Sequence, residues 1–203
     1  GLALLNTQVA TAGGLVGWLL IEKIRNGHAT SLGAASGAVA GLVAITPACS
    51  AVSPIGALIV GVLAGVICAL AVGLKYRFGY DDSLDVVGVH LVGGLLGTLL
   101  IGFLATDLAP AGVNGLLYGG GGEQLGKQAI GAFSVMGYSF VVALIIGLIL
   151  KAAGIMRVSR DEELSGIDLA EHAESAYEFG ETGGGGHFAG IGAGAARRDR
   201  EEI

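Results

Sequence analysis

One of the four histidines stands inside a charge-free apolar stretch, and it is the residue best placed to do chemistry. His90 lies about six residues, ~9 Å at the helical rise, from the inner end of a span running from about residue 84, near mid-core if the span crosses a bilayer. An ionisable group is expensive there unless it faces a cavity or a partner, so by default it marks a solute path or a proton relay. A neutral imidazole offers one donor and one acceptor to a small polar solute. The competing reading is a structural histidine bonded to a neighbouring helix. Asp81, Asp82 and Asp85 open the same stretch. Acidic side chains at a helix start cap free N–H groups and suit the macrodipole, and that reading is favoured over a cation attractor. His28, His172 and His187 are scattered without metal-ligand spacing, and there is neither a P-loop nor a GxSxG motif. The run Gly119–Gly122 follows no strand and reads as loop filler. The expectation is a non-enzyme with no metal, no cofactor and no nucleic-acid partner.

The elements that must hold His90 follow from the distribution of charge. Hydrophobic residues make up 53% of the chain and charged ones only 14%, and residues 2–21, 29–74, 86–106 and 128–150 contain no Asp, Glu, Lys or Arg. Helices without a polar face cannot be covered in water, whereas about 20 apolar residues cross a ~30 Å hydrocarbon core. The fold class is therefore an all-α, polytopic membrane protein. Pro47 and Pro54 divide the longest stretch, giving about five spans near residues 2–20, 31–49, 55–74, 84–105 and 128–150. Polar linkers at 22–28 and 75–82 and a Gly-rich loop at 107–126 separate them. The chain opens on Gly1 without a signal-like segment, and an upstream portion is expected. Cys49 and Cys68 read as small packing residues.

Helices alternate sides, so five spans put the 22–28 linker, the 75–82 linker and the C-terminus together. That side carries ten of the eleven basic residues, Lys127 being the exception. The positive-inside rule makes it cytoplasmic, in a cell membrane, with Trp18, Tyr76, Phe78 and Tyr80 as an aromatic belt. Glycine, at 38 residues, recurs at four-residue spacing: Gly33, Gly37 and Gly41; Gly61 and Gly65; Gly93 and Gly97. Small residues at that spacing let helices approach closely, and three such runs point to a tight bundle of the kind transporters and channels use.

The segment 81–97, DDSLDVVGVHLVGGLLG, resembles the tenth helix of the ammonium transporter family (Amt/Mep, related to the Rh proteins). Residues 32–49, LGAASGAVAGLVAITPAC, resemble the eighth, and GIDLAEHAESAY at 166–177 is similar to the cytoplasmic signature of the Amt branch. The resemblance covers roughly residues 1–177 and implies helices seven to eleven of an eleven-helix bundle. It implies that His90 is the second of two paired pore histidines, that Val86 one turn earlier lines the same path, and that Thr46 faces it. It implies ammonium as substrate, passage as ammonia through an apolar pore, a homotrimer with one pore per subunit, and no enzymatic role. The first histidine, the outer cation site and the aromatic gate belong to a part of the family fold that this chain lacks.

From Arg157 onward the tail holds eleven acidic and five basic side chains, which accounts for the whole net charge of −6. Residues 1–153 read as the bundle, 154–177 as a regulatory segment with room for one or two helical turns, and 178–203 as a disordered Gly-rich tail. The signature implies a PII-type signalling protein as partner, with Gly166, Asp168 and Tyr177 as its markers. Ala173 departs from it, standing where many members have glycine. Two other readings share the fold. One is an ammonium sensor that signals through the tail, for which the residues after Arg157 are too few to form a kinase or cyclase. The other is an Rh-type gas channel for ammonia or carbon dioxide, against which the Amt-like tail argues.

Overall fold

The computed structural model describes residues 1–173 (for Leu169 and Ala170 the backbone only); Tyr177 and the Gly-rich tail lie outside the described residues. Contacts divide the chain into two compact units, residues 1–144 and the residues from Ile145 on. Among the described residues the secondary structure is helical, apart from an isolated antiparallel bridge between Val52 and Ala105.

In the first unit, α1 (Leu2–Asn26) runs on through Glu22, Lys23 and Arg25, residues the sequence placed in a linker. Lys23 and Arg25 in its last turn suit the helix dipole, and Gly27 ends it in the left-handed conformation at φ 80°. The Glu22 carboxylate accepts the Thr30 N–H at 2.9 Å, and the Thr30 hydroxyl accepts from Gly33 N at 2.8 Å to start α2 (Ser31–Ile45). α2 is shorter than expected. Its 15 residues stop at Ile45 instead of Cys49, because Pro47 has no N–H to extend the ladder and the chain turns. α3 (Pro54–Ala71) starts at the Ser53 cap with Pro at its first position, and α4 (Leu74–Phe78) follows it closely, ending at Gly79. A π-helical turn, Val86–Leu91, leads into α5 (Val92–Leu104). The helix α6 (Glu123–Ala152) begins five residues before the expected span, its first turn tied by a 2.6 Å Glu123–Lys127 ion pair. Four of these stretches are long and apolar enough to cross a membrane, namely Leu2–Asn26, Pro54–Phe78, Val86–Leu104 and Glu123–Ala152; the fifth, Ser31–Ile45, is apolar but shorter.

The glycine runs lie where backbones meet. A Cβ on Gly61 would stand 2.7 Å from Ala10 Cα, one on Gly65 2.8 Å from Trp18 N, and one on Gly97 2.8 Å from Ala44 Cα. The partner surface on α1 includes Gly14, whose Cβ would lie 2.8 Å from Gly41 Cα. Cα–H contacts and dispersion along such seams replace the hydrophobic drive that lipid does not supply. Trp18 belongs to this interior and not to an interfacial belt. It is 5% exposed, in a cluster with Ala40, Cys68, Ala69 and Val89, because α1 meets α2 and α3 through glycines that leave room for its ring. Tyr76 and Phe78 are exposed, as belt residues are.

The turn after α2 is stitched to the segment after α5: Thr106 N bonds Ala51 O and Ala111 N bonds Ser50 O, each at 3.0 Å. From α1, the fully buried Asn6 donates both amide protons to the same turn, to Cys49 O at 2.9 Å and Val52 O at 2.8 Å. In the second unit, Ser159 and Glu162 form a reciprocal capping box that starts α7 (Arg160–Ser165). These bonds hold the Glu162 carboxyl below its ordinary range, and the Arg157 guanidinium, 2.6 Å from Glu163, does the same for Glu163. Then α8 (Ile167–His172) ends at Ala173, which takes a positive φ of 55° without being glycine.

Candidate functional site

The site is built at a break in helical geometry. Asp85 is left-handed at φ 56°, and the next six residues form the π-turn, in which a wider ring closes on the carbonyl five residues back, as Val92 N–H does on Val87 O. The Asp82 carboxylate accepts Val86 N at 2.7 Å and Val87 N at 3.0 Å, so Asp82 performs the capping expected of the acidic group. Asp85 does something else: its carboxylate pairs with Lys75 at 2.7 Å. Asp81 accepts from the Ser83 hydroxyl at 3.2 Å. The back of the π-turn is buried against α3, where a Cβ on Gly88 would lie 2.8 Å from Val72 Cα. The opposite side presents His90.

His90, itself exposed, lines a cavity of about 780 Å³ that is broadly open to the surface. Its walls come from the end of α2 and the following turn (Val43, Thr46, Pro47), from the π-turn and α5, and from α6. The polar side chains on the lining are those of His90, Thr46, Thr98 and Ser139, and no Asp, Glu, Lys or Arg is among them. The two threonine hydroxyls donate back to their own helices, Thr46 to Leu42 O at 2.7 Å and Thr98 to Gly94 O at 2.8 Å. Each therefore faces the cavity as an acceptor. No hydrogen bond to the His90 imidazole occurs among the described residues. The remaining surface is apolar, with Phe140, Met136 and Leu91 prominent. Such a chamber can hold a small neutral solute through one or two hydrogen bonds, while a bare cation would find no counter-charge on the lining.

The structure thus brings His90 and Thr46 to one cavity. Val86 is 53% exposed and is not among the residues lining this cavity. Gly166 joins α7 to α8 at φ 103°, a value that favours glycine, and Asp168 lies in the first turn of α8. Thr98, Ser139 and Phe140 were not singled out from the sequence. For Thr98 and Ser139 a hydroxyl in an apolar span was the only signal, and it is a weak one, since such hydroxyls commonly bond their own helix; Phe140 carried none. Asn6 carried a stronger signal, as an amide in a charge-free stretch.

Residues 1–177 match the Ammonium Transporter Family. The chain is 60% identical over 185 residues to an ammonium transporter of Mycobacterium tuberculosis (strain ATCC 25618 / H37Rv), a match covering 88% of this chain and 39% of the relative. It is 42% identical over 178 residues to an ammonium transporter of Bacillus subtilis (strain 168), covering 87% and 44%. Among solved structures, that of Candida albicans Mep2 superposes with a TM-score of 0.72 at 35% identity, covering 84% of this chain and 39% of that one. A structure described as a sensor Amt protein superposes at 0.69 and 29% identity, covering 84% and 42%. The chain thus spans about two fifths of the length of the relatives it matches.

Proposed function

The chain belongs to the ammonium transporter family, and from that premise we propose that it forms the C-terminal part, helices seven to eleven, of a multi-pass transporter that passes ammonium as ammonia. The observation that carries the reading is the cavity that His90 and Thr46 line with two further hydroxyls, Thr98 and Ser139, on walls that are otherwise apolar and carry no charged side chain. A cation entering such a space loses its hydration and gains no counter-charge, whereas ammonia loses only hydrogen bonds, which an imidazole and a hydroxyl partly replace. Deprotonation before or during passage is the inexpensive route. His90 serves as the second of a histidine pair whose first member lies outside this chain, and Val86 flanks the path at the π-turn.

The same reading makes the protein a homotrimer in a cell membrane with its C-terminus in the cytoplasm. Residues 1–153 are the bundle. Residues 154–177, with Gly166, Asp168 and Tyr177, form the regulatory segment that meets a PII-type protein. A second reading, an ammonium sensor on this fold, is supported by the similarity to the sensor Amt structure.

The test is growth of a strain lacking its own ammonium uptake on limiting ammonium, with the full-length protein and its His90→Ala variant. Rescue by the wild type and its loss in a normally inserted His90→Ala protein is the expected outcome. An inserted wild type that does not rescue moves the assignment to the sensor. Rescue by both demotes His90 to a replaceable lining group.

A further inference from the structure

We propose that Lys75 is a positioning residue for His90: its ammonium locks the cap from which the π-turn starts and so sets where the imidazole stands in the cavity. The proposal rests on the transporter reading only for its uptake assay; the geometry is independent of it.

A π-turn is rare because it competes with the better-packed α-helix. Moving its extra residue by one position swings side chains by about 100°, one helical step. His90 keeps its direction only if the turn is held at both ends. The C-terminal end continues into α5, whose Gly97 packs on Ala44 of α2. The N-terminal end rests on Asp82 and Asp85. Asp82 takes two turn N–H groups through its carboxylate, and Asp85 accepts Val89 N at 2.8 Å through its carbonyl. Asp85 holds the left-handed conformation, at φ 56°, which strains a residue with a Cβ, though Asp less than most.

What holds the two aspartates there is Lys75. Its Nζ lies 2.7 Å from Asp85 Oδ1 and donates to the Asp82 backbone carbonyl at 3.0 Å. The Lys75 side chain is only 16% exposed and that of Asp85 34%. This pair is therefore better shielded than an ordinary surface ion pair. Without the ammonium, two carboxylates share the start of the turn with no cation between them. The left-handed Asp85 then has no side-chain tether, and the turn is free to relax toward α-helix. The lysine does not line the cavity; it acts through the turn.

The experiment measures initial uptake of radiolabelled methylammonium by the full-length protein, normalised to inserted protein, for wild type, Lys75→Met, Lys75→Arg, His90→Gln and Lys75→Met with His90→Gln. Lys75→Met is expected to lower the maximal rate about five-fold or more with little change in half-saturation, and Lys75→Arg to stay within about two-fold. The double variant is expected to transport no more slowly than His90→Gln alone. In parallel, site-resolved mass spectrometry follows the carbethoxylation of His90 by diethylpyrocarbonate, and Lys75→Met is expected to change its rate. Wild-type uptake by Lys75→Met, an equal further loss in the His90→Gln background, or an unchanged His90 modification rate each overturns the proposal. A wild type that takes up nothing speaks against the transporter reading instead, and the modification rate then decides the role of Lys75.

Discussion

At the scale of single residues, two side chains away from the cavity, one buried and one largely shielded, decide whether its walls stand where they do. Asn6 is fully buried in α1 and its amide satisfies the carbonyls of Cys49 and Val52, in the turn that carries Thr46. Replacing it by Leu keeps the bulk but takes the donor from both carbonyls, the buried one at Val52 costing roughly 1–3 kcal/mol and the part-buried one at Cys49 less. Asn6→Leu is expected to lower the unfolding midpoint of the full-length protein in detergent, and an unchanged midpoint would mean that the turn finds other donors. Lys75 plays the corresponding part for the opposite wall. Both residues were visible in the sequence as types, an amide in an apolar helix and a base in a linker. Their partners, 43 and 46 residues away for Asn6 and ten for Lys75, were not, because spacing along the chain does not report contact across it.

At the scale of elements, the decisive features are the glycine seams and the π-turn. The four-residue glycine spacing was legible because it repeats at the period of one helix face. The structure adds the opposing surface, on α1, where Gly14 meets Gly41 and Ala10 meets Gly61. Gly61→Val is expected to force α1 and α3 apart and to cost about 1–3 kcal/mol or more, as overpacking does. A matched Val at Ile55, 73% exposed on α3, is expected to cost little. Inserted protein yield and thermal stability in detergent check the difference. Element boundaries were less legible. α1 carries its charges into the last turn and α6 starts on a Glu–Lys pair, since helix ends at a membrane surface recruit polar residues that a hydropathy reading assigns to linkers. The π-turn was not legible at all, because VVGVHL is as compatible with an α-helix as with a wider one.

At the scale of the whole molecule, charge distribution makes the boldest statement, that the basic linkers share one side of the membrane. A topology measurement settles it. In a cysteine-free background of the full-length protein, Arg77→Cys is expected to resist a membrane-impermeant maleimide in intact cells. Leu117→Cys, in the exposed loop before α6, is expected to react. The reverse pattern would invert the orientation and place the tail outside. The helix α6 fits the same picture: it is apolar over most of its length and none of its residues is buried, a surface that suits lipid or further helices.

The sequence by itself determined that this is a helical membrane protein of the ammonium transporter family, roughly where its spans run, and which histidine deserves an experiment. Transfer of about 20 residues into hydrocarbon is a sum of local terms, so it is written in any window of the chain. Tertiary structure alone decided that α2 stops at Ile45, that Trp18 is interior, and that His90 and Thr46 line one cavity. Each of these depends on which backbones meet and on where a turn's extra residue is held. Such contacts join residues tens of positions apart, and their energies exist only once the helices are packed.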